Sequence, residues 1–177
     1  VHTAQGQRQV RDFRMPTEQA GAQLDMAMVQ GAPPPEVGAP SVTPEALVQA
    51  ALGALGGMRR FVSRGDVVAI KPNIGWDRTP LHAANTNPRV VAEVVRACFE
   101  AGAKTVVVTD ASCNDPNRCF QRSGIWNAAH AVGAQVIIPS EHRFRTMRLR
   151  GDVLDEWPVF TPLVQADKVI NLPVAKH

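Results

Sequence analysis

Three places in the sequence put residues capable of chemistry directly after an apolar run. Lys71, Asn73 and Trp76 follow Val67–Ile70, and the loop behind them closes on Asn85-Thr86-Asn87. Asp110 ends TVVVTD (105–110), ahead of Ser112, Cys113, Asn114 and Cys119. Lys176 and His177 follow KVINLPV (168–174). A lysine neutralises an anion, an asparagine orients one through its amide, and an aspartate or histidine moves a proton or holds a metal. Together Lys71, Asn73, Asn87, Asp110, Lys176 and His177 have the makings of a site for a small anionic molecule or a metal-bearing cofactor. Lys71, Asp110, Lys176 and His177 are the candidates for catalysis. Asn73, Trp76, Asn85 and Asn87 are the candidates for ligand binding.

Each residue also has a plainer reading. Lys71 could snorkel from a strand end. Asn73 suits a turn, and Asn87 ahead of Pro88 is a helix N-cap. Trp76 could be a lid on the core. Cys113 and Cys119 enclose five residues, which is not the spacing of a zinc knuckle or a cluster motif. A structural disulfide and two free thiols are both open for that pair. Cys98 sits on an apolar helix stripe and reads as a buried, inert thiol.

The elements that must position these residues are legible from pattern. A helix starts at Thr43-Pro44 and stops at Gly56-Gly57, with Leu47, Val48, Ala51, Leu52 and Leu55 on one stripe. A second runs from Asn87-Pro88 to Gly102, and a third spans about 122–132. Strands are expected at 66–71, 105–110, 135–140 and 168–174, with a short one at 24–29. Residues 111–120 read as irregular. RFRTMRLRGDVLDEWPVF (143–160) reads as a β-hairpin turning at Gly151-Asp152. Its four arginines fall on both parities, which predicts a bend near Thr146. Strands alternating with helices, and fully apolar strand runs, predict an α/β domain. Its mostly parallel sheet would carry helices on both faces. In such a sheet the loops after the strands share one rim, where ligands bind. Residues 41–177 are assigned to this domain. Residues 1–40, with GAPPPEVGAP at 31–40, read as an extended Pro-rich arm and linker.

Composition bounds the function classes. The chain has 177 residues, 45% hydrophobic and 20% charged, with net charge +3. That balance is too weakly basic to imply nucleic-acid binding, and no run of about 18 apolar residues predicts a membrane span. No signal-peptide pattern opens the sequence. The basic run 142–150 reads as a solvated hairpin. There is no P-loop, G-x-G-x-x-G, G-x-S-x-G or H-E-x-x-H.

FVSRGDVVAIKPNIGWDRTP, NTNPRVVAEVVRACFEAGAKTVVVTD, SCNDPNRCFQRSGI and ADKVINLPVAKH, in that order, resemble the domain-of-unknown-function family numbered 362. Its members are often labelled iron–sulfur centre proteins. The resemblance covers about residues 58–177 and implies an α/β domain of largely unassigned function. Some relatives carry a separate cysteine-rich cluster domain; this chain has no such motif, so the resemblance carries over no iron–sulfur cluster. Relatives with the IGWDRTP and CNDPNRC segments often look like exported proteins with a twin-arginine leader. That implies an exported or periplasmic location, suits a start at Val1, and favours a Cys113–Cys119 disulfide. Family members continue past the Lys-His pair, so a domain incomplete at His177 is expected. LPVAKH also resembles, more faintly, the nickel-pincer lactate racemases, where a lysine and histidines surround a nickel–nucleotide cofactor; only Lys176 and His177 could correspond.

Three functions follow as expectations: a ligand-binding or enzymatic rim, a non-catalytic accessory subunit of an exported complex that contacts a partner chain, and a nickel-cofactor racemase. The sequence names no cofactor and no reaction.

Overall fold

The computed structural model describes residues 26–31 and 41–176. His177 and most of the arm 1–40 lie outside the described residues. Residues 26–31 hold no strand, so the strand expected at 24–29 is not found where it can be seen.

Four parallel strands form the sheet, in the order β3-β2-β1-β6. They are β1 (Val67–Pro72), β2 (Thr105–Val108), β3 (Gln135–Val136) and β6 (Lys168–Leu172). In β1, Val68, Ala69 and Ile70 are fully buried. Side chains alternate across a strand, so both faces of β1 are dry. Val68 and Ile70 join the core of α2 (Pro88–Ala101), with Val91, Val94, Val95 and Cys98. The other face holds Ala69 and Val107, with α5 (Thr161–Gln165) packed on β1. The sequence-based expectation of a mostly parallel α/β sheet holds.

Helix caps follow the residue types. Thr43 accepts from the Ala46 N–H at 3.2 Å and starts α1 (Pro44–Ala54). Asn87 accepts from the Arg89 N–H at 2.9 Å and starts α2. Such caps contribute about 1 kcal/mol each. Gly102 ends α2 with φ 107°. A Cβ there would stand 3.1 Å from Arg64 Cα, so glycine is needed both for conformation and for space. Buried Glu93 on α2 ties the two helices together. It accepts from Gln49 of α1 at 2.8 Å and pairs with Arg96 at 2.7 Å.

Four expectations change. The stretch 111–120 is not all irregular: Asp115 caps α3 (Pro116–Arg122), accepting from the Arg118 N–H at 2.9 Å. The helix expected over 122–132 is α4 (Ile125–Ala131), set off from α3 at Gly124 with φ 74°. β3 is only two residues long, although Ile137 N–H still donates to the Val108 carbonyl at 3.0 Å. Beyond it the Thr109 hydroxyl takes the Ile137 carbonyl, and Pro139 has no N–H to extend the ladder. The hairpin β4 (Phe144–Arg148) and β5 (Glu156–Phe160) pairs continuously from Phe144↔Phe160 to Arg148↔Glu156, with no bulge at Thr146. Arg143 and Arg150 lie outside β4, and Arg145 and Arg148 sit on its opposite faces, both exposed, so no bend is needed to gather the arginines on one face.

Candidate functional site

β1, β2 and β6 run parallel, so their carboxyl ends meet on one edge of the sheet. Lys71, next to last in β1, reaches across to the end of β2: its Nζ lies 2.8 Å from Asp110 Oδ1. Asp110 is buried at 7% exposure, and its Oδ2 accepts from the Ile74 N–H at 2.7 Å. One carboxylate therefore holds the side chain before Pro72 and the backbone after it. Pro72 keeps Lys71 extended and helps set this up.

Asn73 sits two residues on and joins β1 to β6. Its Oδ1 accepts from Lys176 Nζ at 3.1 Å, and its Nδ2 donates to the Ala84 carbonyl at 3.2 Å. Lys176 Nζ also donates to Ala84 O at 2.8 Å. An ammonium has three donors. Two of those on Lys176 go to neutral oxygens, and among the described residues no carboxylate pairs with it. Among the described residues nothing offsets its charge, and on the same edge of the sheet the Lys71 side chain is 43% exposed.

The long loop 73–87 is ordered from within. Asn85 clamps Trp76, its Oδ1 accepting from the Trp76 N–H at 3.1 Å and its Nδ2 donating to the Trp76 carbonyl at 2.8 Å. The Asn85 amide is thus engaged by backbone. Trp76 itself is 43% exposed. Asn87 has its side chain on the α2 N-terminus, as the plainer reading held.

Thr86 is a residue that sequence reasoning passed over. Its buried hydroxyl accepts from the Asn73 N–H at 2.8 Å and donates to the Leu172 carbonyl at 2.7 Å, bridging the ends of β1 and β6. The only signal was a polar β-branched residue between two asparagines. Asp77 is another: it pairs with Arg118 at 2.7 Å and lies 3.5 Å from Arg122, holding α3 against the loop.

Cys113 is exposed, Cys119 is buried, and both are free thiols here. The proposed Cys113–Cys119 disulfide is not formed in the structure. Burial raises the Cys119 thiol above its ordinary value, opposed by Ser112 and the Asn114 backbone. Cys98 is also free, and burial pushes it to about 12.

The structure therefore brings Lys71, Asn73, Asp110 and Lys176 to one rim and leaves Asn85 and Asn87 as structural clamps. The model of the family described as "Domain of unknown function (DUF362)" matches residues 68–177, the segment that builds this rim. The chain belongs to that family. Within DUF362, the chain is similar to a "Thylakoid-associated protein" of Synechocystis sp. strain PCC 6803. It is 30% identical over 125 residues, which cover 71% of this chain and 38% of the relative. The chain thus spans well under half the length of that relative. No solved structure matches it.

Among the described residues no group of three or more His, Cys, Asp or Glu side chains is placed to hold a metal ion. Among the described residues the rim presents two ammoniums, one amide and one carboxylate that is already paired. Among the described residues no helix is long and apolar enough to cross a membrane.

Proposed function

We propose that the rim at the carboxyl ends of β1, β2 and β6 binds a small anionic ligand. The observation that carries this is the Lys176 ammonium. Asn73 Oδ1 and Ala84 O hold it in place without neutralising it, leaving one donor for an incoming oxyanion. Lys71 supplies a second ammonium, tethered by Asp110. Asn73 fixes the position of Lys176 and is the residue that orients the site. Asp110, already occupied by Lys71 and Ile74, sets Lys71 in place rather than exchanging protons with the ligand.

Calorimetric titration with inorganic phosphate and with a small dicarboxylate tests the reading. Lys176→Met is expected to weaken the better probe about tenfold, roughly the worth of one charge-assisted hydrogen bond. Saturable binding that Lys176→Met leaves unchanged, or no binding of either probe, refutes it.

A second reading has its own observation. The hairpin exposes Val153 completely, with Leu154 at 44% and Trp157 at 53%. A contact surface for a partner chain would use such residues, and the accessory-subunit function rests on them. It is compatible with an anion site on the rim. An exported location and a domain comprising residues 41–177 are proposed on the same footing.

A further inference from the structure

Two sulfurs lie near one glycine. Cys119 Sγ is 3.6 Å from the Gly75 carbonyl oxygen. A Cβ built on Gly75 would stand 3.7 Å from Cys113 Sγ. Ser112 and the Asn114 backbone, the two neighbours of Cys113, oppose the upward shift of the Cys119 thiol. The segment 112–114 is held to the β1 loop, with Ser112 Oγ donating to Ile74 O at 2.6 Å. The Cys113 and Asn114 N–H groups both donate to Gly75 O, at 3.0 and 3.2 Å. Gly75 places no side chain beside the Cys113 sulfur.

We propose that Cys113 and Cys119 form a reversible thiol–disulfide site that ties the loop after β2 to the first turn of α3, beside Gly75 of the loop after β1. Cys113 is exposed and is the entry point. Its thiolate attacks a small-molecule disulfide, forms a mixed disulfide and expels one thiolate. The Cys119 thiol gives up its proton, attacks the Cys113 sulfur and expels the second thiolate. The pair loses two electrons and two protons; the donor disulfide gains both and leaves as two thiols. Cys119 is buried with a raised pKa, so Cys113 reacts first and Cys119 resolves. The bond closes a short loop across the start of α3. It leaves Asp110 and Ile74 on the near side, where the β1 and β2 loops meet. Cys98 takes no part, being fully buried in α2.

This inference does not depend on anion binding at the rim. Its test is incubation of the whole chain with oxidised glutathione, followed by intact mass and peptide mapping. The expected product has lost two hydrogens and links Cys113 to Cys119, and dithiothreitol restores both thiols. Amide exchange at Cys113 and Asn114 is expected to slow about tenfold in the oxidised form. Cys113→Ser is exposed and keeps the fold, and it should leave Cys119 unmodified by the same treatment. A stable glutathione adduct on Cys113 with Cys119 still free overturns the proposal, as does a link involving Cys98. Glutathionylation of Cys119 in the Cys113→Ser variant overturns the assigned order of attack.

Discussion

Thr86 and Leu172 stand 86 residues apart in sequence and are joined by one hydrogen bond, the Thr86 hydroxyl donating to the Leu172 carbonyl at 2.7 Å. The same hydroxyl accepts from the Asn73 N–H. A single buried oxygen thus registers the end of β1 against the end of β6, and so places Asn73 against Lys176. Thr86→Val removes both bonds and leaves a half-buried N–H and carbonyl without this partner. Thr86→Val should lower stability by about 2 kcal/mol in urea unfolding, while Thr86→Ser keeps most of it.

Asp110→Asn keeps shape but removes the charge that faces Lys71. Lys71 is partly exposed and recovers water, so the loss is smaller than for a fully buried pair, about 1–3 kcal/mol. Urea unfolding measures it. If Asp110 only tethers Lys71, anion affinity at the rim is retained or rises in this variant, because Lys71 is no longer neutralised. A loss of affinity would assign Asp110 to the ligand directly.

Asn85→Ala unclips Trp76. The Trp76 N–H loses its acceptor and the loop 73–87 loses both halves of its internal clamp. Hydrogen exchange at the Trp76 amide should speed up by about tenfold or more, with α2 unaffected because Asn87 caps it independently. Slowed or unchanged exchange would place the order of this loop elsewhere.

Cys98 gives the chain a pH dependence on the alkaline side. Burial raises its thiol from the ordinary 9.0 to about 12. Between those values the unfolded chain has released a proton that the folded chain still holds. Its contribution to stability is complete below pH 9 and falls as pH rises toward 12, by at most about 1.4 kcal/mol per pH unit. Cys98→Ala should flatten that slope in urea unfolding measured across pH 8 to about 11, against a small cavity cost at all pH values. An unchanged slope would show that other groups dominate.

The sequence by itself determined the elements whose signals are local. Apolar runs gave β1, β2 and β6, and Thr43-Pro44 and Asn87-Pro88 gave two helix starts, because caps and strand burial act over a few residues. Asp115-Pro116 carried the same signal and was overlooked beneath the polar residues around it. Parallel strands also put Lys71, Asp110 and Lys176 on one edge, since topology alone does that. Only the tertiary structure decided how they are used. Whether Lys71 is free or paired depends on Asp110, 39 residues away, and whether Lys176 is neutralised depends on the oxygens that Asn73 and Ala84 present. Asn85 and Asn87 look like ligand residues in sequence because an amide is the same group whether it binds a ligand or a backbone. Their partners are set by how the loop folds back, and that depends on contacts no local pattern records.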